Sequence, residues 1–165
     1  MRDFASGGAA AALSRPAKVL YTAFAFLNLC GLVSSVVLYD GFVDFDARAT
    51  PSDLYRRLTA HYETIDRRTL LEVTHAHLFS MPVLLLVSGH LVLLTSLSLR
   101  FKLTLIIIGV IAMTLHLLAP WVVRWSGGSG GAGLLYPISG GLLFVSLAAM
   151  TCIPAWEMWR PRRRA

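Results

Sequence analysis

Four long apolar stretches, separated by polar segments, run along the chain. Each stretch provides about 20 residues of helix, which is the length that crosses a hydrocarbon core about 30 Å thick. Backbone polar groups cannot stay unpaired in lipid, and no stretch alternates apolar and polar residues as a barrel strand does, so the stretches must be helices. The pattern therefore predicts an all-α membrane protein whose four transmembrane helices form an antiparallel bundle. The predicted spans are residues 19–39, 70–99, 103–125 and 134–156.

The segments outside the spans differ in character. Residues 1–18 are rich in Ala, Gly and Ser and predict a flexible cytoplasmic tail, whereas residues 160–165 form a basic cytoplasmic tail after the membrane domain of residues 19–159. Between the first two spans, the run from Thr50 to Asp53 offers an N-cap, a proline at the first helical position and an early acid. Apolar residues then recur at helical spacing, which predicts a short amphipathic helix on the outer membrane face.

The composition agrees with a membrane protein and excludes two other classes. Of the 165 residues, 56% are apolar and 15% are charged, and the mean hydropathy is +0.64. An ordinary soluble domain is about 45–50% apolar and about 25% charged. A soluble globular enzyme and a disordered chain are therefore excluded. The sequence carries no nucleotide-binding glycine loop and no CxxC motif, so a non-catalytic redox or accessory role is favoured over an enzyme.

The placement of the charges predicts the topology. If the N-terminus lies inside, the inner segments carry nine basic residues and two acids, whereas the outer segments carry six basic residues and seven acids, which together give the net charge of +6. Because basic residues concentrate on the cytoplasmic side, both termini are predicted to lie in the cytoplasm, in a multi-pass protein of a bacterial inner membrane. The excess positive charge then lies at the ends of the spans, where it can contact anionic membrane lipids. No nucleic-acid partner is expected.

Histidines are the main chemical signal within the predicted spans, which contain His75, His77, His90 and His116. Ionisable residues at membrane depth are costly, and they usually face the bundle interior and mark a functional site. His77 lies roughly 10 Å below the outer end of its span and His116 roughly 13 Å below the outer end of the next, at 1.5 Å per residue. The two spans are antiparallel neighbours. Two histidines at one level on adjacent helices can ligate a six-coordinate haem, or copper or zinc.

The sequence leaves open whether His75 or His77 faces this centre. The two residues lie about 200° apart around a helix, so both cannot point to one place. Glu72 could hydrogen-bond to His75 and leave His77 to bind, or it could orient His75 as the ligand. No second histidine matches the depth of His90, for which packing is the simpler explanation. The candidate metal ligands are therefore His75, His77, His116, Glu72 and His90.

The basic residues above the histidines favour haem over a bare metal ion. Haem propionates need cationic or donor groups near the membrane surface, and Arg67, Arg68 and Arg124 lie at the outer ends of the second and third spans. These arginines could also be ordinary anchors that extend to the membrane surface. With haem bound, the cofactor-binding residues would be His77 (or His75), His116 and the three arginines.

The four-helix layout, together with His77 and His116, resembles the b-type cytochromes of membranes in which histidines on spanning helices hold haem between the helices. The resemblance implies an electron-transfer subunit that binds a b-type haem near the periplasmic side, with a quinone and a periplasmic redox protein as partners. That family also expects a histidine on the first span, which this chain lacks, so only one haem is expected. The alternatives are a cofactor-free accessory subunit of a larger membrane complex and a histidine-based copper or zinc protein.

Overall fold

The computed structural model describes residues 9–43, 51–127 and 131–160. Within these ranges the chain forms six α-helices and a short 3-10 helix, and it has no β-strand. The α-helices are α1 (Ala9–Ala12), α2 (Arg15–Val43), α3 (Pro51–Thr64), α4 (Arg67–Leu93), α5 (Leu99–Ser126) and α6 (Leu135–Trp159), and the 3-10 helix is Ala132–Leu134.

Four of the helices are long and apolar enough to cross a membrane, which confirms the predicted fold class. Each crossing segment has 27 or 28 residues, or about 40 Å of helix at 1.5 Å per residue. Large apolar side chains remain exposed along all four helices, for example Phe26, Leu86, Ile107 and Val145. Such a surface is stable in lipid and not in water. The crossing segments are Arg15–Gly41, Arg67–Leu93, Leu99–Ser126 and Ala132–Trp159.

Helix α6 lies at the centre of the bundle and packs against α2, α4 and α5, while α4 and α5 also pack against each other. Gly109 of α5 allows a close approach to α4 and α6, because a Cβ there would lie 2.8 Å from Cε of Met150 and 3.0 Å from Cδ1 of Leu85. Small residues at helix crossings are how membrane helices gain packing contacts. The buried apolar core consists of Leu85, Val92, Ala112, Leu143, Leu147 and Met150.

The turn between α4 and α5 lies earlier in the chain than predicted. The second span was expected to end at residue 99, whereas α4 ends at Leu93 and α5 begins at Leu99. Two contacts account for the shift. The Oγ of Ser98 caps α5 by accepting from the amide of Phe101, 3.4 Å away, and the buried Lys102 donates from Nζ to the carbonyl of Leu93 at 2.9 Å. A cation that satisfies free carbonyls stabilises a helix C-terminus, so the helix ends there.

The N-terminal segment also differs from the predicted flexible tail of residues 1–18. Residues 9–12 form α1, and α2 already begins at Arg15. The amide of Ala10 donates to the carbonyl of Leu94 at 2.9 Å, and Ala10 is buried, so α1 is attached to the turn between α4 and α5. Residues 1–8 of the predicted tail, and residues 161–165 of the basic tail, lie outside the described residues.

The predicted helix between the first two spans is confirmed as α3. It begins at Pro51, as the capping pattern predicts. It packs against α5 and the 3-10 helix, and a Cβ on Gly133 would lie 2.7 Å from Oγ1 of Thr59 and 3.1 Å from the ring of Tyr55. Helix α3 therefore contacts the bundle itself. Below, the end of the bundle that carries α3 is the α3 end, and the end where α4 turns into α5 is the hairpin end.

Candidate functional site

His77 and His116 line one small cavity in the half of the bundle nearer the α3 end. The cavity has a volume of about 90 Å³ and lies between α4, α5 and the first turn of α6. His77 is supplied by α4 and His116 by α5. The remaining lining residues are Ile65, Thr69, Leu70, Val73, Thr74, Leu117, Pro120 and Tyr136. Apart from the two imidazoles, the polar groups at this wall are hydroxyls, so the cavity is uncharged and mostly apolar.

The ring of His77 is oriented by its own helix. Its Nδ1 lies 2.7 Å from the carbonyl oxygen of Val73, one turn earlier in α4. Because a carbonyl only accepts hydrogen bonds, we assign the proton of His77 to Nδ1. The other ring nitrogen, Nε2, is then the one that carries the lone pair. Metal-binding histidines are commonly oriented by a backbone carbonyl in this way.

The ring of His116 is oriented by α6. Its Nδ1 lies 3.4 Å from Oγ of the buried Ser139, and that hydroxyl donates to the carbonyl of Tyr136 at 3.1 Å. The ring of His116 also hydrogen-bonds to the backbone of Tyr136. Tyr136 and Ser139 of α6 therefore hold this imidazole together.

Two residues of α6 also determine the position of the His116 ring. The ring of Tyr136 packs on it, with 4.3 Å between the ring centroids. Gly140 leaves room for its edge, because a Cβ at Gly140 would lie 3.0 Å from Cε1 and 3.2 Å from Nδ1 of His116. These distances are tighter than ordinary carbon contacts. A side chain at position 140 would therefore displace the imidazole.

Helices α4 and α5 are tied together beside the cavity. The indole Nε1 of Trp121 on α5 donates to Oγ1 of Thr74 on α4 at 3.0 Å. At the α3 end, Nη1 of Arg124 donates to the carbonyl of Ile65 at 2.6 Å, and Ile65 itself lines the cavity. A cationic side chain is thus fixed to a residue of the cavity wall.

The other candidate ligands lie away from this cavity. His75 is exposed, and its ring lies 4.9 Å from the ring of Phe79, which is also exposed. Glu72 accepts a hydrogen bond from Nε of Arg68 at 2.9 Å, with both side chains exposed. His90 is exposed near the hairpin end, 13 residues or roughly 20 Å of helix beyond His77.

Of the three arginines expected near haem propionates, Arg124 alone hydrogen-bonds to a residue that lines the cavity, Ile65. Arg67 is exposed at the start of α4, and Arg68 is paired with Glu72. Sequence reasoning missed the contribution of α6, namely Tyr136, Ser139 and Gly140. A serine, a tyrosine and a glycine in a membrane helix have many packing uses, and nothing in their spacing identifies them as neighbours of a histidine on another helix.

The donor set at the site is small. Within residues 9–43, 51–127 and 131–160, no three side chains of His, Cys, Asp or Glu lie together as a metal-binding group. The site therefore offers two imidazoles, with no carboxylate or thiolate among the described neighbours.

Comparison with known proteins adds one finding. The model of the family Aq_1264_TM, described as a transmembrane helical domain, matches residues 59–165. The matched region contains α4, α5 and α6, and hence His77, His116 and the residues around their rings, whereas α2 lies outside it. No curated protein and no solved structure matches the chain.

Proposed function

Since the chain belongs to the Aq_1264_TM family of transmembrane helical domains and is an integral membrane protein, we propose that its bundle binds a transition-metal ion between His77 and His116. The proposal concerns the three-helix region that the family shares. The role of the domain would be to accept a metal ion at the α3 end and to hold it within the membrane.

The observation that supports this proposal is the pairing of two imidazoles from adjacent helices at one small cavity. The Nδ1 of each ring lies beside an oxygen atom of the protein, at Val73 for His77 and at Ser139 for His116. Contacts of this kind orient the imidazoles of metal-binding histidines. A metal ion that prefers imidazole suits such a pair.

The size of the cavity favours a small occupant. Its volume is about 90 Å³, whereas pockets for cofactor-sized molecules have about 300–1,000 Å³. One water occupies about 30 Å³ of liquid, so the cavity suits an ion with one or two waters. Its lining reaches Ile65 and Thr69 at the α3 end.

A b-type haem is the second candidate, and the number of ligands favours it. Haem iron needs two axial ligands, and two imidazoles are what the site offers. The protein would then be an electron-transfer subunit that exchanges electrons with a quinone and a periplasmic redox protein. The cavity of about 90 Å³ is smaller than the about 300–1,000 Å³ of pockets for cofactor-sized molecules, so α4 and α5 would have to separate to admit a macrocycle. We therefore place haem second.

One preparation tests both candidates. The full chain, purified from cells grown with copper and zinc, is assayed for metal content by mass spectrometry and for haem by its absorbance spectrum. We expect about one metal ion per chain, lost in the variants His77→Ala and His116→Ala. The matched control is His75→Ala, which removes a histidine from the same helix but from its exposed side, and it should retain the metal.

Two other results would overturn the ion proposal. A Soret band with a reduced α-band, lost in His116→Ala, would assign the site to haem. A folded protein, with wild-type helix content by circular dichroism, that holds neither metal nor haem and takes up neither on titration would leave a cofactor-free accessory subunit as the function.

A further inference from the structure

The ring of Tyr39, on α2, stacks on the ring of Tyr136, with 5.6 Å between the ring centroids and 29° between the planes. Tyr136 lines the cavity and packs on the ring of His116, with 4.3 Å between the centroids. The three rings thus connect α2, α6 and α5. We infer that Tyr39 is a positioning residue, which holds the imidazole of His116 at the cavity by supporting Tyr136. Its effect on metal binding rests on the proposed function.

Tyr39 lies on the face of α2 that is directed to α6. It follows Asn28 by 11 positions, which corresponds to a rotation of only about 20° around the helix and a rise of roughly 16 Å. Asn28 is buried and bonds to Thr151 of α6. Residues 36–38, directly before Tyr39, are exposed, whereas Tyr39 is partly buried. Its ring is therefore the part of this turn of α2 that faces the bundle.

Tyr39 packs against the same buried side chain as two residues of the cavity wall. Val123 of α5 is fully buried, and Tyr39, Ile65 and Tyr136 all pack against it. Ile65 and Tyr136 line the cavity. When a large ring in such a cluster is replaced by a smaller side chain, the neighbours relax only in part into the space that is left. Replacement of Tyr39 therefore gives Tyr136 room to move away from His116.

The ring of His77 is oriented independently of this stack. Its Nδ1 bonds to the carbonyl oxygen of Val73 on the same helix, α4. A change at Tyr39 on α2 should therefore move the imidazole of His116 and leave that of His77 in place. This difference distinguishes a positioning effect on one ring from a general loosening of the bundle, which would affect both.

The test uses the full chain, labelled with ¹⁵N-histidine, in lipid nanodiscs without metal. Tyr39→Leu removes the ring, Tyr39→Phe keeps it, and Tyr21→Leu makes the same change at a partly buried tyrosine nearer the other end of α2. We expect Tyr39→Leu to shift the imidazole nitrogen resonances of His116 and to leave those of His77 unchanged. Tyr39→Phe and Tyr21→Leu should give the wild-type resonances for both rings.

Titration of the same proteins with Zn(II), with Cu(II) and, without oxygen, with Cu(I) measures the consequence for binding. We expect Tyr39→Leu to weaken binding of the ion that the wild type takes up. The expected loss is roughly two- to tenfold, which is the range that one aromatic pair contributes. Tyr39→Phe and Tyr21→Leu should bind this ion as the wild type does.

The outcomes separate this inference from the proposed function. Unchanged His116 resonances in Tyr39→Leu would overturn the inference, and so would wild-type affinity for the bound ion. Equal shifts of His77 and His116, or a shift of His116 in Tyr21→Leu, would indicate a general change in packing and would overturn it as well. If the wild type binds none of the three ions, the proposed function fails, whereas the resonances recorded without metal still decide whether Tyr39 positions His116.

Discussion

The amide Nδ2 of Asn28 donates a hydrogen bond to Oγ1 of Thr151 across 2.5 Å, and both side chains are buried between α2 and α6. This bond joins the first span, which lies outside the matched family region, to the central helix of the bundle. A second polar contact, from Nε1 of Trp159 to Oγ1 of Thr22 at 2.9 Å, joins the same two helices near the hairpin end. Helix α2 is otherwise largely exposed to lipid.

The contact between Asn28 and Thr151 predicts a measurable coupling in a double-mutant cycle. Interhelical hydrogen bonds in membranes contribute about 0.6 kcal/mol on average and at most about 1.7 kcal/mol. We expect Asn28→Ala and Thr151→Val to be non-additive by about this amount in the free energy of unfolding, measured in mixed micelles. Ser35→Ala removes an exposed hydroxyl that bonds within α2 and should show no coupling to Thr151→Val. Full additivity of the first pair would contradict the assignment.

Gly140 and Gly141 form a matched pair that tests the His116 site. A Cβ on Gly140 would press on the imidazole at 3.0 Å, whereas a Cβ on Gly141 meets nothing within 4 Å. We expect Gly140→Ala to move the histidine ring and to weaken metal binding by roughly tenfold, with Gly141→Ala unchanged. The ring shift is measured without metal, from the imidazole nitrogen resonances of ¹⁵N-histidine-labelled protein. Equal behaviour of the two variants would place the ring of His116 elsewhere.

The hydrogen bonds of Lys102 predict that this residue stabilises the hairpin end. It is only 4% exposed, and its Nζ donates to the carbonyls of Leu93 and Thr95. Hydrogen bonds from charged groups contribute about 1.5–3 kcal/mol, so Lys102→Met should lower the free energy of unfolding by about that much. The nearby exposed Arg100 is the control, and Arg100→Met should have little effect. The measurement is equilibrium unfolding of both variants in the same mixed micelles.

The hydrogen bonds of Asp66 predict that the start of α4 loses order in acid. Its carboxylate accepts from the hydroxyl and the amide of Thr69 and from the amide of Arg68. These hydrogen bonds lower the pKa of the Asp66 carboxyl below its ordinary value, and the bond from the Thr69 hydroxyl has the largest effect. A group whose pKa is lowered by folding stabilises the fold above its unfolded pKa and loses that effect as the pH falls through the folded pKa.

Amide hydrogen exchange at Arg68 and Thr69 checks this prediction. Protection should be constant near neutral pH and should fall in the acid range, below the ordinary titration of aspartate. In Asp66→Ala the protection should be low at every pH, since this N-cap of α4 is gone. Acid sensitivity that persists in Asp66→Ala would assign the effect to another group.

The sequence by itself determined the fold class, because lipid imposes a strong and local rule. In lipid, a stretch of about 20 apolar residues must form its backbone hydrogen bonds within itself. Length and composition therefore identify a spanning helix without reference to its neighbours. The start of α3 was predictable for the same reason, since capping and proline preferences act within a single turn. The shared level of His77 and His116 followed from counting 1.5 Å per residue along two antiparallel helices.

Only the tertiary structure decided which histidine of α4 lines the same cavity as His116, and that histidine is His77. Rotation of a helix about its axis depends on packing against its neighbours, and the hydrophobic pattern of α4 carries little of that information because lipid and core are both apolar. The contribution of α6 was hidden for the same reason. Ser139 and Gly140 act on His116 across a helix interface, and Ser139 is 23 positions from His116 in the sequence. No local pattern encodes which helices will touch.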